Sequence, residues 1–106
     1  MSRYIIKLTD KKTKKDYYLE WSTIVDAPVT WGMTLKEFKK YYKAQYGRAG
    51  LDELPSRLQR VEATGTSSMH KLTAEDCIAG NRAGKKEVHL TYEEIVSYYC
   101  IKKVDP

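Results

Sequence analysis

Apolar and polar positions alternate through the first quarter of the chain. Tyr4, Ile6 and Leu8 alternate with Ile5, Lys7 and Thr9. Further on, Tyr17, Leu19, Trp21, Thr23 and Val25 alternate with Tyr18, Glu20, Ser22, Ile24 and Asp26. A period of two, rich in β-branched and aromatic residues, predicts strands. Between them, Asp10-Lys11-Lys12-Thr13-Lys14-Lys15-Asp16 must be an exposed turn, because its lysines cannot be buried unpaired. The pattern predicts an antiparallel β-hairpin over residues 3–27. Two strands alone are marginal in water, so helices, another strand or a second subunit must cover them. Lys86–Leu90, with Val88 and Leu90 on one side, is the candidate third strand.

After Pro28 the code becomes helical, over residues 34–103. Thr34 precedes Glu37, Thr73 precedes Asp76 and Thr91 precedes Glu94, each by three residues. In such a capping box the threonine accepts from the third following N–H and the acid reaches back to the threonine's own. Met33 with Phe38, Leu72 with Cys77 and Leu90 with Ile95 add a hydrophobic staple to each start. The expected helices are Leu35–Tyr46 ended by Gly47, Glu53–Ala63 with Pro55 in its first turn, Ala74–Ala79, and Tyr92–Lys102. The class is α+β: an N-terminal antiparallel hairpin, a third short strand, then about four short helices in one domain over residues 1–106.

Composition narrows the class further. At 106 residues and 42% hydrophobic, with nine Tyr, two Trp and one Phe, the chain is too apolar for disorder. Chains of this size bury about two-thirds of their surface, enough for one modest core without disulfides or metal. No apolar run approaches the roughly 20 residues of a membrane span. Met1-Ser2-Arg3-Tyr4 leads directly into the strand pattern, so no signal peptide is expected. Cys77 and Cys100 form no Cys-x-x-Cys pair and match no metal-ligand spacing, which fits a reducing cytoplasm and two small buried hydrophobes. No nucleophile elbow, zincin helix, Walker-type loop or dinucleotide fingerprint occurs. The chain is therefore expected to be no enzyme and to hold no cofactor or metal.

Anion binding is the chemistry the residues favour. Ala63–His70 collects Thr64, Thr66, Ser67 and Ser68 around Gly65; Ala79–Gly84 sets Asn81 and Arg82 between glycines. Small residues let backbone N–H groups approach a phosphate, and Arg grips it with a fork. With a short helix between them, the loops are expected to close on one site, although ordinary caps and turns use the same residues. Trp31, Tyr41, Tyr42, Tyr46, Tyr98 and Tyr99 are candidate stacking surfaces, with Tyr42, Tyr46 and Tyr99 facing inward. The balance of 19 Lys and Arg against 14 Asp and Glu, net +5, falls largely on the hairpin turn and on Lys36, Lys39, Lys40 and Lys43. That face suits nucleic acid, an acidic protein, or simply solvent. No RNA-recognition, KH or helix-turn-helix pattern supports nucleic acid.

Three stretches carry a resemblance: Tyr18–Thr30, Gly65-Thr66-Ser67-Ser68, and Gly80-Asn81-Arg82-Ala83-Gly84. They resemble small phage and prophage proteins of the Thoeris anti-defence family, sponges that sequester nucleotide immune signals, and the resemblance covers nearly the whole chain. It implies stoichiometric capture, without cleavage, of cyclic ADP-ribose isomers and cyclic oligonucleotides in the cytoplasm of a bacterial host. It also implies homo-oligomers with ligand near subunit boundaries, held by Arg, Asn and stacking contacts. Residues of matching type are Arg48, Arg57, Asn81 and Arg82, with Met69 as apolar stacking partner beside Thr66, Ser67 and Ser68. A long strand Tyr17–Asp26 would favour pairing between subunits. The alternatives are an inhibitor that docks on a host defence protein through the lysine face, or a nucleic-acid-binding module.

Overall fold

Both strands of the predicted hairpin form. In the computed structural model, which describes residues 3–106, β1 (Arg3–Thr9) and β2 (Asp16–Ser22) pair antiparallel, Tyr4 opposite Trp21 and Ile6 opposite Leu19. Alternation sends Ile5, Lys7, Tyr18 and Glu20 to one face and Ile6, Leu8, Leu19 and Trp21 to the other. Helices cover both faces. Ile5 and Tyr18 pack against Phe38, Tyr42, Leu54 and Val61 of α1 (Leu35–Thr64). Ile6, Leu8, Leu19 and Trp21 pack against α2 (Ala74–Ala79) and α3 (Tyr92–Ile95), which continues as the π-wound segment Val96–Lys102. The hairpin is thus the middle layer between two small cores. Each large apolar side chain buried there contributes about 1.5–3 kcal/mol.

The described residues hold three helices rather than four. Positions 48–52, expected as a gap, are helical, so Leu35–Tyr46 and Glu53–Ala63 are halves of α1, kinked at Gly47 (φ 67°, ψ −156°). Glycine adopts that backbone without penalty, and the helix resumes immediately. Gly50 permits the tight return: a Cβ there would lie 2.4 Å from Tyr46 Cβ. Pro55 consequently sits inside the helix rather than in a first turn.

The third strand is also elsewhere. β2 ends at Ser22, short of Asp26, because the Ser22 hydroxyl accepts from Ile24 N (3.2 Å) and Val25 N (3.3 Å) and curls the chain into a turn. β3 is Ala27–Pro28, opposite Ser22 and Trp21. Lys86–Leu90 is not a strand; Lys85–Glu87 forms a 3₁₀ turn with Lys86 and Glu87 at positive φ. The sheet order β1-β2-β3 makes β2 central. Tyr18 exchanges backbone bonds with Met33 (2.7 and 2.8 Å), and Val29 N donates to the Glu20 carbonyl at 2.9 Å. On the far side, Lys7 N donates to Gly65 O and Ser67 N to Ile5 O, each at 2.9 Å. The β2 edge that was expected to pair between subunits is therefore occupied from within.

Candidate functional site

Thr66, Ser67 and Ser68 are buried along the β1 edge, and their hydroxyls bind the fold itself. Thr66 Oγ1 donates to the Leu72 carbonyl and accepts from Ser68 N (3.2 Å). Ser67 Oγ accepts from Ile5 N (2.9 Å), and Ser68 Oγ accepts from His70 N (3.1 Å). Met69 beside them is 79% exposed. Asn81 is equally committed. Its amide donates to the carbonyls of Ile78 (2.5 Å) and Leu90 (2.8 Å) and accepts from Ala83 N (3.2 Å) and Leu90 N (2.9 Å). Arg82 pairs with Asp26 (3.2 Å) and Glu87 (3.6 Å). Arg57 pairs with Glu53 at 2.8 Å, and Arg48 is exposed on α1. The Ser/Thr loop is anchored to β1 and the Asn81–Arg82 loop to Asp26, ahead of β3, at the opposite edge of the sheet.

A cleft forms where residues 28–33 cross the C-terminal helix. Gly32 N donates to the Tyr99 carbonyl at 2.8 Å. A Cβ on Gly32 would lie 2.6 Å from Cys100 Sγ and 3.0 Å from Cys100 Cα, so only glycine allows the approach. The π-winding of Val96–Lys102 ends at Lys103 in the left-handed region, and the N–H groups of Lys103 and Val104 share the Tyr98 carbonyl. The Tyr99 carbonyl is thereby left for Gly32. Single π-turns are rare and recur at functional sites.

The resulting cleft, about 570 Å³, is walled by Val29, Trp31, Met33, Tyr41 and Tyr99 and rimmed by Lys103 and Asp105. Its size matches small-molecule sites, at roughly 300–1,000 Å³. Trp31 and Tyr99 rings lie 5.7 Å apart at 41°, and Trp31 stays 38% exposed. Both tyrosines are held at their far ends. Tyr99 Oη donates to the Ala83 carbonyl (2.8 Å), and Tyr41 Oη donates to the Glu20 carboxylate. Glu20, 3% exposed, also accepts from Tyr46 Oη (2.9 and 2.7 Å) and faces the Arg3 guanidinium at 3.6 Å. Burial, reinforced by Glu20, raises the Tyr41 phenol well above its ordinary value. The walls are neutral, fixed rings suited to stacking a planar base. At the rim, the Lys103 ammonium suits a phosphate and the Asp105 carboxylate suits a hydroxyl or amino group.

Sequence reasoning names Trp31 and Tyr41 among the stacking surfaces but turns Tyr99 inward, leaves Tyr98, which does not line the cleft, as the freer ring, and marks neither Lys103 nor Asp105. Cys77 and Cys100 are free and buried, and burial pushes their thiols up to about 11 and about 12. Among the described residues no group of three His, Cys, Asp or Glu could hold a metal, and no helix is long and apolar enough to cross a membrane.

These buried acids make stability sensitive to alkali. Burial raises the phenols of Tyr42, Tyr46, Tyr92 and Tyr99 as well as Tyr41, and lifts Tyr18 from 10.0 to about 12. Each group holds its proton more tightly folded than unfolded. Its contribution is complete below the unfolded value, 9.0 for Cys and 10.0 for Tyr, and is lost as pH rises toward the folded one. Stability is expected to fall steeply between about pH 9 and 12, with tyrosinate absorbance rising in step with unfolding. Titration of every phenol near its ordinary value with the fold intact would contradict this.

No protein-family model, curated protein or solved structure matches the chain.

Proposed function

We propose that the protein captures a small nucleotide signal, without cleaving it, in the cleft of Trp31, Tyr41 and Tyr99. The observation that supports this reading is the pair of anchored tyrosine walls beside a half-open tryptophan, with one ammonium and one carboxylate at the rim. Sequestration asks for shape, stacking and charge, and preformed walls lower the ordering cost of binding. The resemblance supplies the ligand class, cyclic ADP-ribose isomers and cyclic oligonucleotides, and the setting, phage evasion of a host defence by a homo-oligomeric sponge. On this reading Lys103 meets the pyrophosphate and the rings take the adenine, while Thr66, Ser67, Ser68, Asn81 and Arg82 build the scaffold.

Tryptophan fluorescence tests it. Trp21 is buried and Trp31 is not, so quenching by a stacked base reports the cleft. Saturable quenching is expected with at least one cyclic ADP-ribose isomer, and heat denaturation should release that ligand intact. Trp31→Ala is expected to weaken capture about 5- to 150-fold, the range of one base–aromatic stack. Arg82→Ala should leave affinity unchanged. No binding to any cyclic nucleotide, or release of a hydrolysed product, would overturn the proposal. Native mass spectrometry of the same complex reads subunit number and ligand stoichiometry together.

A further inference from the structure

We propose that the outer face of the first half of α1, formed by Lys36, Lys39, Lys40 and Lys43, docks an acidic helical surface of a partner protein. All four side chains are exposed on the side of the helix opposite Phe38 and Tyr42, and none has an ion pair or hydrogen bond among the described residues. Several other cations of this surface are paired, as in Lys7–Glu62, Lys11–Glu93 and Arg57–Glu53.

The arrangement works against the isolated fold. Lys36–Lys39, Lys36–Lys40, Lys39–Lys43 and Lys40–Lys43 are like-charge pairs at helical contact spacing, which destabilise a helix. Lys36 also lies in the first turn, next to the positive end of the macrodipole, where a cation is disfavoured. The chain obeys that rule elsewhere: α2 opens on Glu75 and Asp76, and α3 on Glu93 and Glu94. In α1 the one acid of the first turn, Glu37, accepts from Thr34 N at 2.9 Å, and this cap bond above all holds its carboxyl below the usual range. Glu37 gives a carboxylate oxygen to this cap and forms no ion pair with any of the four lysines.

A local rule broken in one place points to a demand from outside the fold. Lys36 to Lys43 spans about 10.5 Å of helix axis, with rows that match Asp or Glu at the same three- and four-residue spacing on an apposed helix. The face offers neither the guanidinium fork that suits phosphate nor a ring that would stack a base. Nucleic acid would therefore meet this face through its phosphates alone, with no base read, whereas an acidic helix would match its rows one by one and is the occupant proposed.

The test uses a fourfold Lys36→Gln, Lys39→Gln, Lys40→Gln, Lys43→Gln variant of the full chain. At low salt its Tm is expected to exceed that of the wild type by several degrees, with the gap closing as salt screens the repulsion. The docking probe is an alanine-based helical peptide carrying Glu at i, i+3, i+4 and i+7. It should shift backbone amide resonances at the four lysines and bind the variant at least tenfold more weakly. An unchanged or lower Tm, peptide shifts centred elsewhere, or tighter binding of a duplex DNA to the same lysines would each overturn the proposal. The variant should still capture cyclic nucleotide, so this result stands apart from the cleft.

Discussion

Replacing Asn81 with alanine is expected to remove about 3–5 kcal/mol of stability, far more than truncating a surface side chain would. The side chain is 2% exposed and satisfies four backbone groups: the carbonyls of Ile78 and Leu90 and the N–H groups of Ala83 and Leu90. Each buried polar group left unpaired costs about 1–3 kcal/mol, and partial relaxation lowers the sum. Against a total of about 5–15 kcal/mol, that loss brings the domain close to unfolding at physiological temperature. Urea unfolding measures it through the midpoint at constant m. A loss under about 1 kcal/mol would mean that water replaces the amide. Arg82→Ala is the matched control: its guanidinium is half exposed, and such ion pairs contribute at most about 1 kcal/mol.

The second large effect is expected from Gly32→Ala. The added methyl would meet Cys100 Sγ at 2.6 Å, Cys100 Cβ at 2.9 Å and Cys100 Cα at 3.0 Å. The last is backbone and cannot rotate away, so residues 28–33 must lift off the C-terminal helix. Overpacking of this kind costs about 1–3 kcal/mol. It should also stretch the Gly32–Tyr99 bond and part Trp31 from Tyr99, so ligand affinity should fall together with stability. Adding Cys100→Ala removes the nearest atom and should restore part of the loss. A Gly32→Ala protein with unchanged Tm and unchanged Trp31 fluorescence would show that the close approach does not build the cleft.

Local chemistry was legible in the chain, and long-range juxtaposition was not. All three threonine boxes form with both of their bonds, because a cap depends on four consecutive residues. Gly47 was legible as a break in the helix. Whether a helix stops or resumes after it depends on Gly50 under Tyr46, which no local pattern reveals. The alternation at Val88 and Leu90 imitates a strand, yet the backbone of Leu90 is held by Asn81 instead of a sheet neighbour. A hydroxyl-rich loop has one appearance whether its hydroxyls meet a ligand or the fold; only β1 alongside turns Ser67 inward. The aromatic candidates were visible singly. Their assembly requires residues 28–33 to meet residues 99–105, through a glycine contact and a π-turn with no sequence signature.

The cleft as the capture site is tested most directly by nitrogen-15 NMR of the full chain titrated with cyclic ADP-ribose isomers. The two tryptophan indole resonances separate the outcomes at once. The Trp31 indole and the amides of Tyr99 and Lys103 are expected to shift in saturable fashion while the Trp21 indole stays fixed. Shifts centred on Thr66–Met69 and Asn81–Arg82, or none with any isomer, would contradict capture in the cleft.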